Sequence, residues 1–275
     1  MRKCELQALR CPVDGKELGI RQGEKWDGND LIEGKIACAE GHEWSVSEGM
    51  PSLVNMDEVS EKNMKLVREY DEHAEEYDEK VKIYDAFLRT DMEKERQQLM
   101  AMVPLEKGAR IVDVSTGTAA NFVAMDKVNP GRMRKVFLHG VDLSRGMLKV
   151  AGRKLKARGL KSVLVHADVN KRYPFPDDYF DAVIHTGGIN TFSDIPRAFS
   201  EMLRICKPSG IVLVSDEGLS PKQEKTEFGQ WVISQNWLFK SKPPIDKVPK
   251  NAKELKYWWI MNDTFYVITF RKPQT

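Results

Sequence analysis

The sequence predicts an α/β fold: a mostly parallel sheet closed by a C-terminal antiparallel hairpin and preceded by a small cysteine-bearing domain. Three observations carry this prediction. Between Arg110 and Ser215 short apolar runs alternate with helix-like stretches of roughly 10–15 residues, the pattern of βαβ units. Near the C-terminus, Lys256–Ile260 and Thr264–Phe270 flank the turn Met261-Asn262-Asp263, as in a hairpin. The opening segment is turn-rich, with Cys11 and Cys38 on either side of a Gly/Asp-rich middle. A length of 275 residues leaves room for one large domain or two unequal ones.

Composition excludes several classes. With 41% apolar and 31% charged residues, the chain can build a core and is not of the disordered type. No stretch approaches the roughly 18 uninterrupted apolar residues of a membrane span, and Met1-Arg2-Lys3-Cys4-Glu5 lacks a signal-peptide core. Four scattered cysteines point to a reducing compartment, so the expectation is cytoplasmic. A net charge of +2, from 43 basic and 41 acidic side chains, exerts no global pull on nucleic acid or membrane. Locally the balance shifts: acids outnumber bases from Asp57 to Glu95, whereas Arg132 to Lys161 carries ten bases and one acid, Asp142.

Residues 1–55 hold the strand-like pieces Lys35–Ala37 and Glu43–Val46. Residues 56–104 read as a helical lid or linker, with apolar spacing such as Leu66, Tyr70, Ala74, Tyr77 over Glu61–Met102. Residues 105–275 form the main domain. Its expected strands are Arg110–Val114, Val136–Asp142, Ser162–Ala167, Phe180–His185 and Ile211–Ser215. A helix from Ser144 to Arg158 follows the second strand. Asp194 caps a later helix, with Pro196 in its first turn, and that helix ends before a Lys207-Pro208-Ser209-Gly210 turn. Residues 218–255, rich in Trp, Phe and Pro, read as an insertion forming a substrate pocket.

Open α/β sheets bind ligands beyond the carboxyl ends of their strands. Strand one is followed there by Asp113-Val114-Ser115-Thr116-Gly117-Thr118-Ala119-Ala120, whose small residues let a ligand approach the backbone. Strand two ends in Asp142, placed for ribose hydroxyls, and strand three in Asp168, placed for an exocyclic amine. Three acidic strand ends suit a nucleoside that is not strongly anionic. A dinucleotide-binding fingerprint would want glycines at 115, 117 and 120, and only Gly117 matches.

Residues 107–216 resemble a class I S-adenosylmethionine-dependent methyltransferase, similar to the ubiquinone/menaquinone biosynthesis C-methyltransferases. The carrying stretches are Ile111–Thr118, Gly140–Ser144 with Met147-Leu148, Tyr173–Val183 and Ala198–Val214, and Tyr70–Asp78 is similar to that group's lid helix. The resemblance implies a Rossmann-like seven-stranded, mostly parallel sheet with the C-terminal hairpin. It also implies S-adenosylmethionine held by Tyr77, Asp113, Ser115, Thr116, Gly117, Asp142, Leu143, Asp168, Val169, His185 and Gly187. The family glycines at 115 and 119 are replaced by Ser115 and Ala119.

Methyl transfer from a sulfonium needs alignment, desolvation and, for an acidic acceptor, a base. His185, Asn190, Asp216 and Glu217 gather at strand ends, and His185 or Glu217 is the candidate base. The acceptor reads as a small molecule. An RNA base is the alternative, on the basic helix (Lys149, Arg153, Lys154, Lys156, Arg158) with Trp231, Trp237, Trp258 and Trp259 for stacking. The other alternative is a non-catalytic adaptor whose altered loop has lost the cofactor.

Cys11-Pro-Val-Asp14, Cys38…Gly41-His42 and Gly49–Leu53 resemble the small zinc-ribbon domain of bacterial large-subunit rRNA guanine-N1 methyltransferases, with Asp14 at the second cysteine position. The resemblance leaves two outcomes open: a structural zinc on Cys11, Asp14, Cys38 and His42, or a ribbon that keeps its fold without metal. Such a module would also suit a protein partner.

Overall fold

A computed structural model describes residues 1–274 of the chain. After a 3-10 turn (Lys3–Ala8), four strands follow: β1 (Gly19–Asp27), β2 (Asp30–Ala37), β3 (Glu43–Ser47) and β4 (Met50–Ser52). The helical segment comprises α1 (Glu61–His73), α2 (Tyr77–Leu88) and α3 (Met92–Met100). The α/β part runs β5 (Arg110–Val114), α4 (Ala120–Val128), α5 (Pro130–Met133), β6 (Phe137–Asp142), α6 (Arg145–Ala157), β7 (Ser162–His166), β8 (Phe180–Thr186), α7 (Ile195–Ile205) and β9 (Cys206–Glu217). It ends with α8 (Glu227–Gln235) and the hairpin β10 (Lys253–Ile260) and β11 (Phe265–Arg271).

The sheet has the order β1-β2-β3-β4-β7-β6-β5-β8-β9-β11-β10. Its last seven strands form the expected unit: β7, β6, β5, β8 and β9 are parallel, and β11 is antiparallel to both β9 and β10. The sheet does not stop there. β4 adds parallel to β7 through Ser52 and His166, and Leu53 N–H donates to His166 O at 2.7 Å. One buried core runs from Leu6, Leu9, Cys11, Leu31 and Cys38 to Val165, Ala167 and Val169, so sheet and core pass through the boundary expected near residue 55.

Two local expectations change. The helical pattern of Glu61–Met102 breaks into three helices: α2 closes on Arg89 at φ +54°, and Asp91 caps α3 by accepting from Lys94 N–H at 2.9 Å. The Lys207–Gly210 turn is instead a bulge inside β9. Ser209 sits at φ +62°, and the β8–β9 register shifts between Phe180 and Ala182. Asp194 caps α7 as expected, accepting from Arg197 N–H at 3.0 Å.

Candidate functional site

The carboxyl ends of β5, β6, β7 and β8 open into one cleft of about 230 Å³, roofed by α1 and α2. Of the cofactor candidates, Tyr77, Ser115, Thr116, Gly117, Asp142, Leu143, Val169 and Gly187 line it. Gly117, at φ +53°, turns the backbone so that its N–H donates to Asp142 Oδ2 at 2.8 Å, while Ser144 N–H donates to Oδ1 at 2.8 Å. Burial lifts the Asp142 carboxyl to about 6, and the backbone donors of Ser144 and Gly117 oppose that rise.

Three expected residues lie behind the cleft wall rather than on it. Asp113 is fully buried, accepting from Thr116 Oγ1 and Asn121 Nδ2 at 3.1 Å, and burial raises it to about 7. Asp168 is buried and caps its own loop, accepting from Asn170 N–H at 2.8 Å; Asn170 takes the place at the cleft. His185 is fully buried with Nδ1 on Val114 O at 2.8 Å, and burial depresses its basicity. The reason is strand alternation: Thr186 faces the cleft, so its neighbour His185 points the other way. Of the two candidate bases, His185 is thus held away from the cleft.

Glu217 does line the cleft, at the end of β9. Burial and then the neighbouring Asp216 hold its carboxyl well above the ordinary range. Asp216 points inward and accepts from Asn190 N–H at 2.7 Å; Asn190 is fixed in turn by Tyr266, whose hydroxyl donates to Asn190 Oδ1 at 2.8 Å. The cleft also holds a residue that sequence reasoning missed. Arg96, on α3, donates from Nη1 to Asn121 Oδ1 at 2.7 Å and to Thr186 Oγ1 at 3.1 Å. It is the one basic side chain lining the cleft among the described residues, and it has no ion pair at salt-bridge distance. No spacing signal marks it within the charged run Glu93–Arg96.

The roof is latched twice. Asp71 Oδ1 accepts from Ser144 Oγ at 2.6 Å and Gly146 N–H at 2.7 Å. Asp78 accepts from Thr118 Oγ1 at 2.6 Å and from Lys154 Nζ at 2.5 Å. The repeated Tyr-Asp pair at 70–71 and 77–78 places both aromatics on the cleft and both carboxylates on the domain below. From the insertion, only Leu238 reaches the cleft among the described residues. The part of the insertion around α8 packs on α2, with Phe87 against Trp231 at 4.9 Å and against Phe239 at 6.2 Å between ring centroids, whereas Val248 joins the main core.

The sequence pattern described as "Methyltransferase domain" matches residues 112–214. The demethylmenaquinone methyltransferase of Symbiobacterium thermophilum is 31% identical over 206 residues, which are 73% of this chain and 78% of that protein. This chain belongs to the class I S-adenosylmethionine-dependent methyltransferase family, in the menaquinone/ubiquinone C-methyltransferase group. The demethylmenaquinone methyltransferase of Geobacillus stearothermophilus is 38% identical over 121 residues, 44% of this chain, and the match spans about half of that relative's length, 50%. A putative S-adenosyl-L-methionine-dependent methyltransferase from Methanococcus maripaludis shares the fold, with TM-score 0.54 and 19% identity over 74% of this chain and 94% of its own.

Within this methyltransferase family the loop departs at Ser115 (φ +56°) and Ala119 (φ +64°), both left-handed positions that glycine occupies without strain. Ser115→Gly is therefore expected to leave the thermal midpoint unchanged or raise it by a few degrees in a melting experiment, and a fall would contradict the strain argument.

The N-terminal segment of the chain brings Cys11, Asp14, Cys38 and His42 together, with their ligand atoms all within 4.8 Å of one another. Cys38 Sγ lies 3.2 Å from Asp14 Oδ2 and 3.3 Å from His42 Nδ1; Cys11 Sγ lies 3.7 Å from His42 Nδ1. A tetrahedron with bonds of about 2.0–2.3 Å has edges of roughly 3.3–3.8 Å, so this donor set fits zinc.

Proposed function

We propose that this chain transfers the methyl group of S-adenosylmethionine to a small hydroxylated aromatic acceptor, of the demethylated-quinone type acted on by its curated relatives. The observation that supports it best is the half-buried Asp142 carboxylate at the cleft, beside the Ser115–Thr118 loop. That pairing offers acceptors for the ribose hydroxyls and a small-residue loop that lets the methionyl part approach the backbone closely. Leu143 and Val169 would sandwich the adenine, and the free edge of the Arg96 guanidinium would take the methionyl carboxylate.

In this reading Glu217, when ionised, removes a hydroxyl proton from the acceptor. S-adenosylmethionine, when bound, would supply the electrophilic methyl group that the electron-rich ring carbon takes, and the ring C–H proton would then pass to solvent. Burial and the neighbouring Asp216 hold the Glu217 carboxyl well above the ordinary carboxylate range, the direction a general base needs. Assayed with labelled S-adenosylmethionine and a demethylated naphthoquinol, Glu217→Gln is expected to lower kcat on the order of 10²-fold with KM for S-adenosylmethionine little changed. Full activity of the variant would remove Glu217 from the chemistry.

The RNA reading loses its motive at the basic helix. Lys149 pairs with Glu48 at 2.8 Å, Lys154 with Asp78 at 2.5 Å, Arg158 with Asp126 at 3.3 Å, and Arg153 with Glu75. Lys149, Arg153 and Lys154 hold the N-terminal strands and the lid, and Arg158 holds α4, which leaves Lys156 as the exposed cation of the helix without such a pair among the described residues.

A further inference from the structure

We propose that Cys11, Asp14, Cys38 and His42 hold one zinc ion whose occupancy sets the adenine end of the cofactor cleft, through Ser52, His166 and Leu143. The second half of this proposal rests on the methyltransferase reading above.

The cluster is built as two matching turns. Gly15 N–H donates to Cys11 O at 2.8 Å and Gly41 N–H to Cys38 O at 3.1 Å; both glycines have positive φ, +74° and +87°. Cys11 N–H donates to Lys16 O and Cys38 N–H to His42 O, closing each turn. The Trp44 indole N–H, which neighbours Cys11, is buried without a partner, and a zinc-bound thiolate would give it an acceptor. Two thiolates, an imidazole and a carboxylate select zinc over magnesium or calcium, whose sites are made of oxygen. Four protein donors leave no open position, so the ion's role is structural; binding would release the two thiol protons to solvent.

The metal turns are wired to the cofactor strand. Cys11 and Cys38 belong to the same buried core as Val165, Ala167 and the cleft-lining Val169. Arg10 N–H donates to Pro174 O at 2.9 Å, and a Cβ on Gly15 would stand 2.8 Å from the Arg172 guanidinium, two residues past Asn170. Most directly, His166 spans the junction, with Nδ1 2.8 Å from Ser52 Oγ and Nε2 3.0 Å from Leu143 O. A carbonyl can only accept, so Nε2 carries the proton and the Ser52 hydroxyl donates to Nδ1. Leu143 thus has its backbone fixed by a histidine whose other nitrogen is held by the N-terminal strands.

Coupling of this kind is reciprocal: zinc and nucleoside must tighten each other by the same factor. The experiment measures zinc affinity by chelator competition with and without S-adenosylhomocysteine, and S-adenosylhomocysteine affinity by calorimetry with and without zinc, following the fold by circular dichroism. The expected result is one zinc per chain, an equal tightening in both directions on the order of tenfold, and loss of most of that factor in Ser52→Ala while zinc still binds. Absence of zinc binding overturns the proposal. So does nucleoside binding that is indifferent to zinc, or a factor that Ser52→Ala leaves intact. Loss of the whole fold on chelation overturns the selective coupling in favour of a purely scaffolding ion. Failure of S-adenosylhomocysteine to bind either form overturns the methyltransferase reading and the coupling with it.

Discussion

Asp142→Ala is expected to abolish micromolar binding of S-adenosylhomocysteine in a calorimetric titration, while the chain keeps its fold. The carboxylate already accepts from Gly117 and Ser144 N–H, and each oxygen retains lone-pair capacity toward the cleft. Two hydrogen bonds from ribose hydroxyls to a half-buried carboxylate contribute roughly 1.5–3 kcal/mol each, so removing both weakens binding by at least about 100-fold. The same substitution removes a carboxylate whose ionisation burial opposes, which offsets the two backbone donors it strands and keeps the melting temperature near that of the parent. Proton linkage gives an independent check. With the unliganded carboxyl at about 6, only the ionised form offers full acceptor capacity. Affinity should therefore be flat above that value and fall about tenfold per pH unit below it. The Ala variant should lose this dependence along with the binding. Micromolar binding by Asp142→Ala would move the ribose elsewhere.

The strand ends were legible because apolar runs broken at regular intervals fix where parallel strands stop, and ligand chemistry collects there. What the pattern could not resolve was parity. Side chains alternate along a strand, so one residue decides whether a group meets the cleft or the core. Thr186 and Glu217 face the cleft, while their immediate neighbours His185 and Asp216 are fully buried. Arg96 lies beyond any strand-end rule, because only tertiary packing brings α3 beside Asn121 and Thr186. The junction of β4 with β7 was equally hidden, since a three-residue strand joined through Ser52 and His166 leaves no periodicity to read. The ion pairs of the basic helix were hidden for a related reason: its partners Glu48, Glu75 and Asp78 lie far off in sequence.

Gly146→Val is expected to lift the lid, raising the dissociation constant for S-adenosylhomocysteine by more than tenfold and opening the α1–α2 junction to proteolysis. A Cβ at Gly146 would lie 2.9 Å from Asp71 Oδ1, 3.0 Å from Asp71 Cα and 3.2 Å from Asp71 O. Two of those atoms are backbone or its root, so α1 must move as a body to clear a branched side chain. With α1 go the cleft-lining Asn63, Leu66, Val67 and Tyr70, and the strain reaches Tyr77 at the start of α2. Asp71→Ala breaks the same latch without steric pressure. Its carboxylate is solvent-exposed, so the two lost hydrogen bonds are worth about 1–2 kcal/mol together, which corresponds to roughly a tenfold loss of affinity. Asp71→Asn separates a hydrogen-bonding latch from a charge effect. Both contacts fall on Oδ1, which an amide oxygen reproduces, so Asn should restore binding and protection at Ala74–Glu76. Should Gly146→Val bind S-adenosylhomocysteine like the parent and resist cleavage as well, α1 would be a fixed wall of the cleft rather than a lid.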